Sequence, residues 1–291
     1  MEIRSNQKVH TSSSVAKYDR CPRLWYYEYQ VGLMPPLPLE NVNNSLSFGS
    51  CAHLVFETIL RNKIEVKKKD WKKMLSGFSE HTSEIITAVF EQVEEYHPFI
   101  NELKPIEVEE EMFGLYGGIK IAGKIDAIVE YEGALWVLDH KTSTRTLNEK
   151  RYWIHNQFNI YSWLAKNNGY DVKGVLVNFL RIPSLRKKRE EDAADFIERV
   201  KQDIKQSVEN SKKTQYFNLF SITKDREQVI RGMEDVVDSV YHMENDKFFR
   251  KRSAACFEFN TACHFFDVCT GEINEKDLVE MEKIHPELLL I

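Results

Sequence analysis

The chain has 291 residues, 42% of them hydrophobic, and a formal net charge of −5. That size supports one large core or a core with a smaller appended lobe, and the acidic balance excludes a generally basic coat for non-specific nucleic-acid binding. No apolar stretch approaches the roughly 18 residues of a membrane span, and the first twenty residues lack the apolar centre of a signal peptide. The protein therefore reads as soluble and cytoplasmic, with no membrane partner. Five cysteines, an odd number in a chain this long, do not read as a disulfide framework.

In chain order, SSVAKYDRCPRLWYYEYQ (13–30) opens with serines suited to a helix N-cap and continues as an aromatic-rich amphipathic helix, with Pro22 in a first turn or a kink. PPLPLENVNN (35–44) is a loop. SFGSCAHLVFETILRN (47–62) predicts a buried helix opening near Gly49, and residues 80–97 predict another. The period then changes: 106–117, 119–133 and 134–142 predict strands, the last two joined by a short turn at Glu132–Gly133. A helix over 153–167, a strand over 171–182 and two long polar helices near 189–211 and 224–245 follow. The order indicates an α/β domain on a mixed sheet, with the helical ends as flanking lobes. Between Arg61 and Lys73 there are seven basic and two acidic residues, and Arg181 to Arg189 holds five basic residues and no acid. Such runs are either solvated surface or phosphate contacts.

The chemistry gathers where apolar strands are interrupted. Asp126 in GKIDAIVE and Asp139 in VLDHK lie on hairpin neighbours and can converge. Two carboxylates that close repel unless a proton or cation neutralises them, which makes a hard divalent metal the natural occupant. Lys141 shares a strand face with Asp139, where an ammonium can orient or deprotonate an attacking water. His140 points to the opposite face, so its carbonyl rather than its ring is the candidate ligand. A single strand-end Asp is commonly a turn-former and a single helix His a satisfied core group; the joint spacing carries the weight.

An Asp in a GxxD context thirteen residues before Asp-x-Lys resembles the PD-(D/E)XK nuclease superfamily. Three further motifs are similar to its RecB-like branch: His53 after a glycine in FGSCAHLVFE, Gln157 and Tyr161 in HNQFNIYSWL, and a serine-rich segment running into a Cys-Pro and aromatics. The resemblance spans residues 12 to 182 and resumes near the C-terminus. It implies a single nuclease domain over 1–291, with a restriction-endonuclease-like core at about 47–182 and a helical, cysteine-bearing lobe formed by 12–34 and 189–291. It further implies that His53, Asp126, Asp139 and the His140 carbonyl hold Mg²⁺ or Mn²⁺. Lys141 is then the catalytic lysine beside the two acids, and Gln157 and Tyr161, on one helix face, contact DNA and support it. The expected activity is hydrolysis of DNA phosphodiesters, exonucleolytic on single strands or ends, in recombination, repair or replication. The other reading is a DNA-end-binding or trimming subunit of a recombination or CRISPR-adaptation complex, with little activity alone.

The tail CFEFNTACHFFDVC places Cys256, Cys263 and Cys269 within fourteen residues. Clustered cysteines in a reducing compartment suggest soft-metal ligation, and Cys21 and Cys51 compete to supply a fourth thiolate. Iron–sulfur members of the RecB-like branch, which include the AddB nuclease domain and the CRISPR-associated adaptation nucleases, take theirs from the Cys-Pro segment. The resemblance thus implies a [4Fe–4S] cluster on Cys21, Cys256, Cys263 and Cys269 that ties the two chain ends together. The commoner tail in those members is Cys-x2-Cys-x5-Cys, whereas here six and then five residues separate the cysteines. Zinc and unmetallated thiols remain the alternatives.

Overall fold

The structure, a computed structural model, describes residues 8–34, 44–62, 79–93, 98–210, 216–258 and 261–280. Thr11 ends a short strand, β1 (Val9–Thr11), and starts α1 (Ser12–Arg20), because its hydroxyl accepts the Ser14 N–H at 3.2 Å. The cap is thus the threonine rather than a serine, and Ser14 instead accepts the Trp25 indole N–H at 3.0 Å. Cys21 is extended, and Pro22 opens a single turn, α2 (Pro22–Trp25), that runs into a π-helical turn over Tyr26–Val31. Gly32, at φ 73, stops it ahead of β2 (Leu33–Met34). The loop expected at 35–43 lies outside the described residues.

Two helices follow, α3 (Asn44–Asn62) and α4 (Glu80–Phe90). Three long strands come next, β3 (Lys104–Tyr116), β4 (Ile119–Tyr131) and β5 (Ala134–Ser143). Their connections are two-residue turns at Gly117–Gly118 and Glu132–Gly133, with all four residues at positive φ, as the twist of a tight hairpin requires. A short helix, α5 (Glu149–Trp153), precedes α6 (Asn156–Asn167) and β6 (Val172–Arg181). The chain then alternates α7 (Ala193–Glu209), β7 (Phe217–Ile222) and α8 (Arg226–Asn245), the two helices capped by Asp192 and Asp225. It closes with β8 (Phe257–Glu258), β9 (Thr261–Ala262), α9 (Phe266–Thr270) and β10 (Val279–Glu280).

This is the expected α/β architecture with a mixed central sheet between helices. The sheet runs β1-β4-β5-β6-β7, with β3 along the other edge of β4. β1 lies parallel to β4 at Lys120 to Ala122, while β5 is antiparallel to it from Ala127 to Tyr131, so β1 and β5 share one edge with a gap between them. Neither β1 nor β7 was expected. Three residues are too few to show a period, and β7 is a short edge strand between two helices whose pattern dominates.

Each sheet face carries its own core. On one, α3, α4 and α7 bury Phe56, Ile86 and Val200 against Ala127, Val129 and Leu138. On the other, α1, α6 and α8 bury Val15, Ile160 and Val236 against Ile121, Ile125 and Val137. Among the described residues no helix is long and apolar enough to cross a membrane.

Backbone approach between α6 and α8 depends on Gly232, where a Cβ would fall 1.9 Å from Asn159 Nδ2 and 2.3 Å from its Cγ. Asn159 is 4% exposed and accepts from the Lys224 ammonium at 2.8 Å, so it cannot yield without breaking that bond. Gly232→Ala should therefore lower stability by about 1–3 kcal/mol, the cost of an overpacked core, read as an earlier urea midpoint with an unchanged slope.

Candidate active site

β4 and β5 pair from Tyr131↔Ala134 to Ala127↔Leu138 and then part. From Asp139 to Ser143, β5 continues on β6. The His140 N–H, which would have bonded β4, is satisfied instead by Asp126, whose Oδ2 accepts it at 2.7 Å. On the other edge of β4, Glu109 faces Asp126 by register, between the pairs Val108↔Ala127 and Glu110↔Ile125. Its φ of 57 is a left-handed conformation that a non-glycine residue seldom holds without being forced. The alternation of β4 slips at the same place, with Ile125 and Ile128 on one core and Ala127 and Val129 on the other. The irregularity re-aims side chains, as bulges do.

Three donors meet there: atoms of His53, Glu109 and Asp126 all lie within 4.8 Å of one another. α3 delivers His53, with Nδ1 at 3.4 Å from Asp126 Oδ1, and Glu109 also pairs with Lys124 at 2.6 Å. Asp139, 1% exposed, is held from the opposite face. Lys141 Nζ stands 3.0 Å from its Oδ1 and 2.8 Å from its Oδ2, and Gln157 donates to Oδ1 at 3.1 Å. Oδ2, buried, accepts no well-directed hydrogen bond and faces the Lys141 ammonium.

The charges settle unevenly. Burial pushes the Asp139 carboxyl up to about 6, with the Asp126 charge adding to it and Lys141 opposing. Burial would raise Asp126 as well, but the hydrogen bond and charge of His53 hold it well below the usual carboxylate range. His53 is raised in return, the desolvation that lowers it being outweighed by Asp126. Lys141 is raised too, since Asp139 and Asp126 outweigh its burial, so it is a firm cation.

The structure thus brings together His53, Asp126, Asp139, Lys141 and Gln157. The His140 ring turns away, as expected from strand alternation. It is buried and neutral, pushed down to about 3 by desolvation, with Nδ1 at 2.9 Å from the Asn178 amide and its face stacked on Phe56 at 4.5 Å.

Tyr161 is 8% exposed and packs over Gly123, where a Cβ would come within 3.1 Å of its Cε1. It braces Gln157 and the fork from beneath. Of the basic runs, 63–73 lies outside the described residues; Arg61 pairs with Glu57 at 2.8 Å, and Lys187 with Glu84 at 2.6 Å. Glu109 was missed, because a glutamate in the alternating EVEEEM reads as the solvent face of a strand. Its signal is positional, in lying opposite the GxxD aspartate.

The cysteines lie in two places. Cys51 is fully buried in the α3 core, its thiol pushed up to about 11 by desolvation. Cys21 packs with Phe265, Val268 and Cys263 in a separate small core. Burial raises the thiols of Cys263 and Cys269, and both also feel Cys21 and Cys256. The Cys263 N–H donates to the Cys256 carbonyl at 2.8 Å.

An acid on one strand and an Asp-x-Lys on the next, meeting beside a histidine where the strands part, define a nuclease. The chain belongs to the PD-(D/E)XK nuclease superfamily, whose family model matches residues 10–270. A candidate exonuclease from Eubacterium rectale shares the fold, with a TM-score of 0.53 and 13% identity over 88% of this chain and 91% of that one. The solved structure of SSO0001 aligns at a TM-score of 0.42 and 14% identity over 94% of this chain and 90% of its own. No curated protein sequence matches.

The uneven charges are directly measurable. In metal-free protein, carboxyl ¹³C NMR should find Asp139 titrating near 6 while Asp126 stays ionised. An unfolded Asp titrates near 4, so the folded form holds this proton more tightly. Its contribution to stability is therefore present below about pH 4 and lost as pH rises through 6. A midpoint for Asp139 below 4 would contradict the buried, crowded carboxylate.

Proposed function

We propose that the protein is a divalent-metal-dependent deoxyribonuclease, an exonuclease acting on single-stranded DNA or DNA ends in recombination, repair or replication, in the RecB-like branch. The observation that carries the reading is the gathering of His53, Glu109 and Asp126 within 4.8 Å beside the buried Asp139–Lys141 pair. One imidazole and hard carboxylates suit Mn²⁺ or Mg²⁺, with the nitrogen favouring Mn²⁺. His53, Asp126 and Asp139 would hold the ion, with Glu109 as a further oxygen donor and the His140 carbonyl alongside. Bound there, the ion would activate water and neutralise charge on the phosphate.

The chain's own groups do the rest. Lys141, held as a cation by the two acids, covers the charge that develops on phosphoryl oxygens and orients the attacking water rather than taking its proton. Gln157 fixes Asp139, and Tyr161 fixes Gln157. Both are positioning residues. The domain is read as one unit, with its core over 47–182 and a lobe from 12–34 and 189–291.

In the lobe, Cys21, Cys256, Cys263 and Cys269 are proposed as ligands of a [4Fe–4S] cluster. What supports the grouping is that Cys263 and Cys269 both feel the charges of Cys21 and Cys256.

Two experiments test these assignments. Asp126→Ala and Asp139→Ala should each abolish Mn²⁺-dependent degradation of end-labelled single strands and weaken Mn²⁺ binding by calorimetry. Lys141→Ala should lose activity and keep the metal. Full activity in Lys141→Ala would remove the proposed centre, and DNA-end binding without degradation by the parent chain would favour the end-binding subunit instead. Separately, anaerobically purified protein should be brown with close to four irons per chain, as the cluster's own stoichiometry requires. Serine at Cys21, Cys256, Cys263 or Cys269 should remove the colour and Cys51→Ser should not; a colourless, zinc-bearing chain would assign the site to zinc.

A further inference from the structure

The segment between β5 and α6 carries a surface that neither core explains. α5 buries none of its residues, and Trp153 and Ile154 stand 40% and 80% exposed. Two large apolar side chains in sequence, open to water, mark a contact surface when polar groups rim them. Here the rim is cationic: residues 144–155 hold Arg145, Lys150 and Arg151 against a single acid, Glu149.

The back of this segment is fixed to the fork. Tyr152 packs its ring on Phe158, Phe179 and Phe220 at 6.3, 6.3 and 5.6 Å, and His155 stacks on Tyr152 at 5.8 Å. The Lys141 ammonium lies over the ring of that same Phe158 at 5.8 Å. Three residues beyond Ile154, Gln157 bonds Asp139. The exposed pair is therefore mounted on a rigid base that adjoins the catalytic lysine.

We propose that Trp153 and Ile154 form a stacking platform for bases of a single-stranded polynucleotide at the mouth of the active site, with Lys150 and Arg151 taking the flanking phosphates. The inference rests on the nuclease reading and adds where the substrate's bases lie. An indole flanked by cations is the pairing that single-strand binders use, since every base offers a π-face and every link a phosphate.

The test is binding rather than turnover. With Ca²⁺ in place of Mn²⁺, fluorescence anisotropy should show that Trp153→Ala/Ile154→Ala binds a labelled oligo-dT about 5- to 150-fold more weakly than the parent, the factor carried by one lost base stack. Trp153→Phe should retain most of the affinity. An abasic strand of the same length should bind the parent and the double variant alike, because only the base contact is removed. Both side chains are exposed, so the melting temperature should not fall. Equal oligo-dT affinity in parent and double variant overturns the platform alone, as does an unchanged affinity with self-association that the double variant abolishes, which would give the face to a second copy. A parent chain that binds no DNA overturns the nuclease reading beneath it.

Discussion

The parting of β4 and β5 is the constraint on which the rest of the site depends. Inside a continuous sheet, side chains on opposite faces are separated by the backbone itself and cannot converge on one ion. Where two strands diverge, that barrier opens. His53 reaches the gap from the α3 face, Lys141 and Gln157 reach it from the α6 face, and Asp126 sits in it, bonded to the His140 N–H at 2.7 Å. The Asp126 carboxylate does two jobs through its two oxygens. Oδ2 repairs the broken ladder, and Oδ1 faces His53.

That arrangement explains why the local backbone is irregular. Glu109 must leave the ordinary β region for its carboxylate to join His53 and Asp126, and its positive φ is the cost of that turn. Lys124 neutralises part of the added charge. Packing on both faces then holds the strained strand: Phe56 stacks under His140, and Tyr161 and Leu164 close over Gly123, three residues before Asp126. The glycine of the GxxD motif is thus required by α6, whose side chains occupy the space a Cβ would take.

Much of this was legible from residue order. VLDHK announces a buried strand that ends in ionisable groups, and two such strands in a hairpin can bring their acids together. Gln157 is four residues before Tyr161 on a helix face, and that face does turn to the fork. The depth of Tyr161 was not legible, because the spacing of a helical stripe does not say how closely the helix approaches Gly123. Glu109 was hidden for the opposite reason, its type being ordinary on an exposed strand and its φ invisible. β1 escaped because parallel pairing with β4 is a long-range event, with no turn nearby to signal it.

The cysteine lobe raises a separate question, of what a metal there would add. The two chain ends are already joined without it. Tyr18 donates to Asp246 at 2.7 Å, the Arg23 side chain donates to the Phe249 carbonyl at 3.1 Å, and Glu28 is held by Lys17 and His264 at 2.8 Å each. β2 pairs with β10 as well. The entropy of bringing distant segments together is largely met by these contacts, since closure over the same loop is paid once. What they leave open is the small core of Cys21, Leu24, Tyr27, Phe265 and Val268, which is too slight to fix the short elements after α8 by burial alone. Metal ligation at that point would order the tail locally more than it would clasp the ends. Because α1 packs on α6, order in the lobe is passed to the helix that carries Gln157.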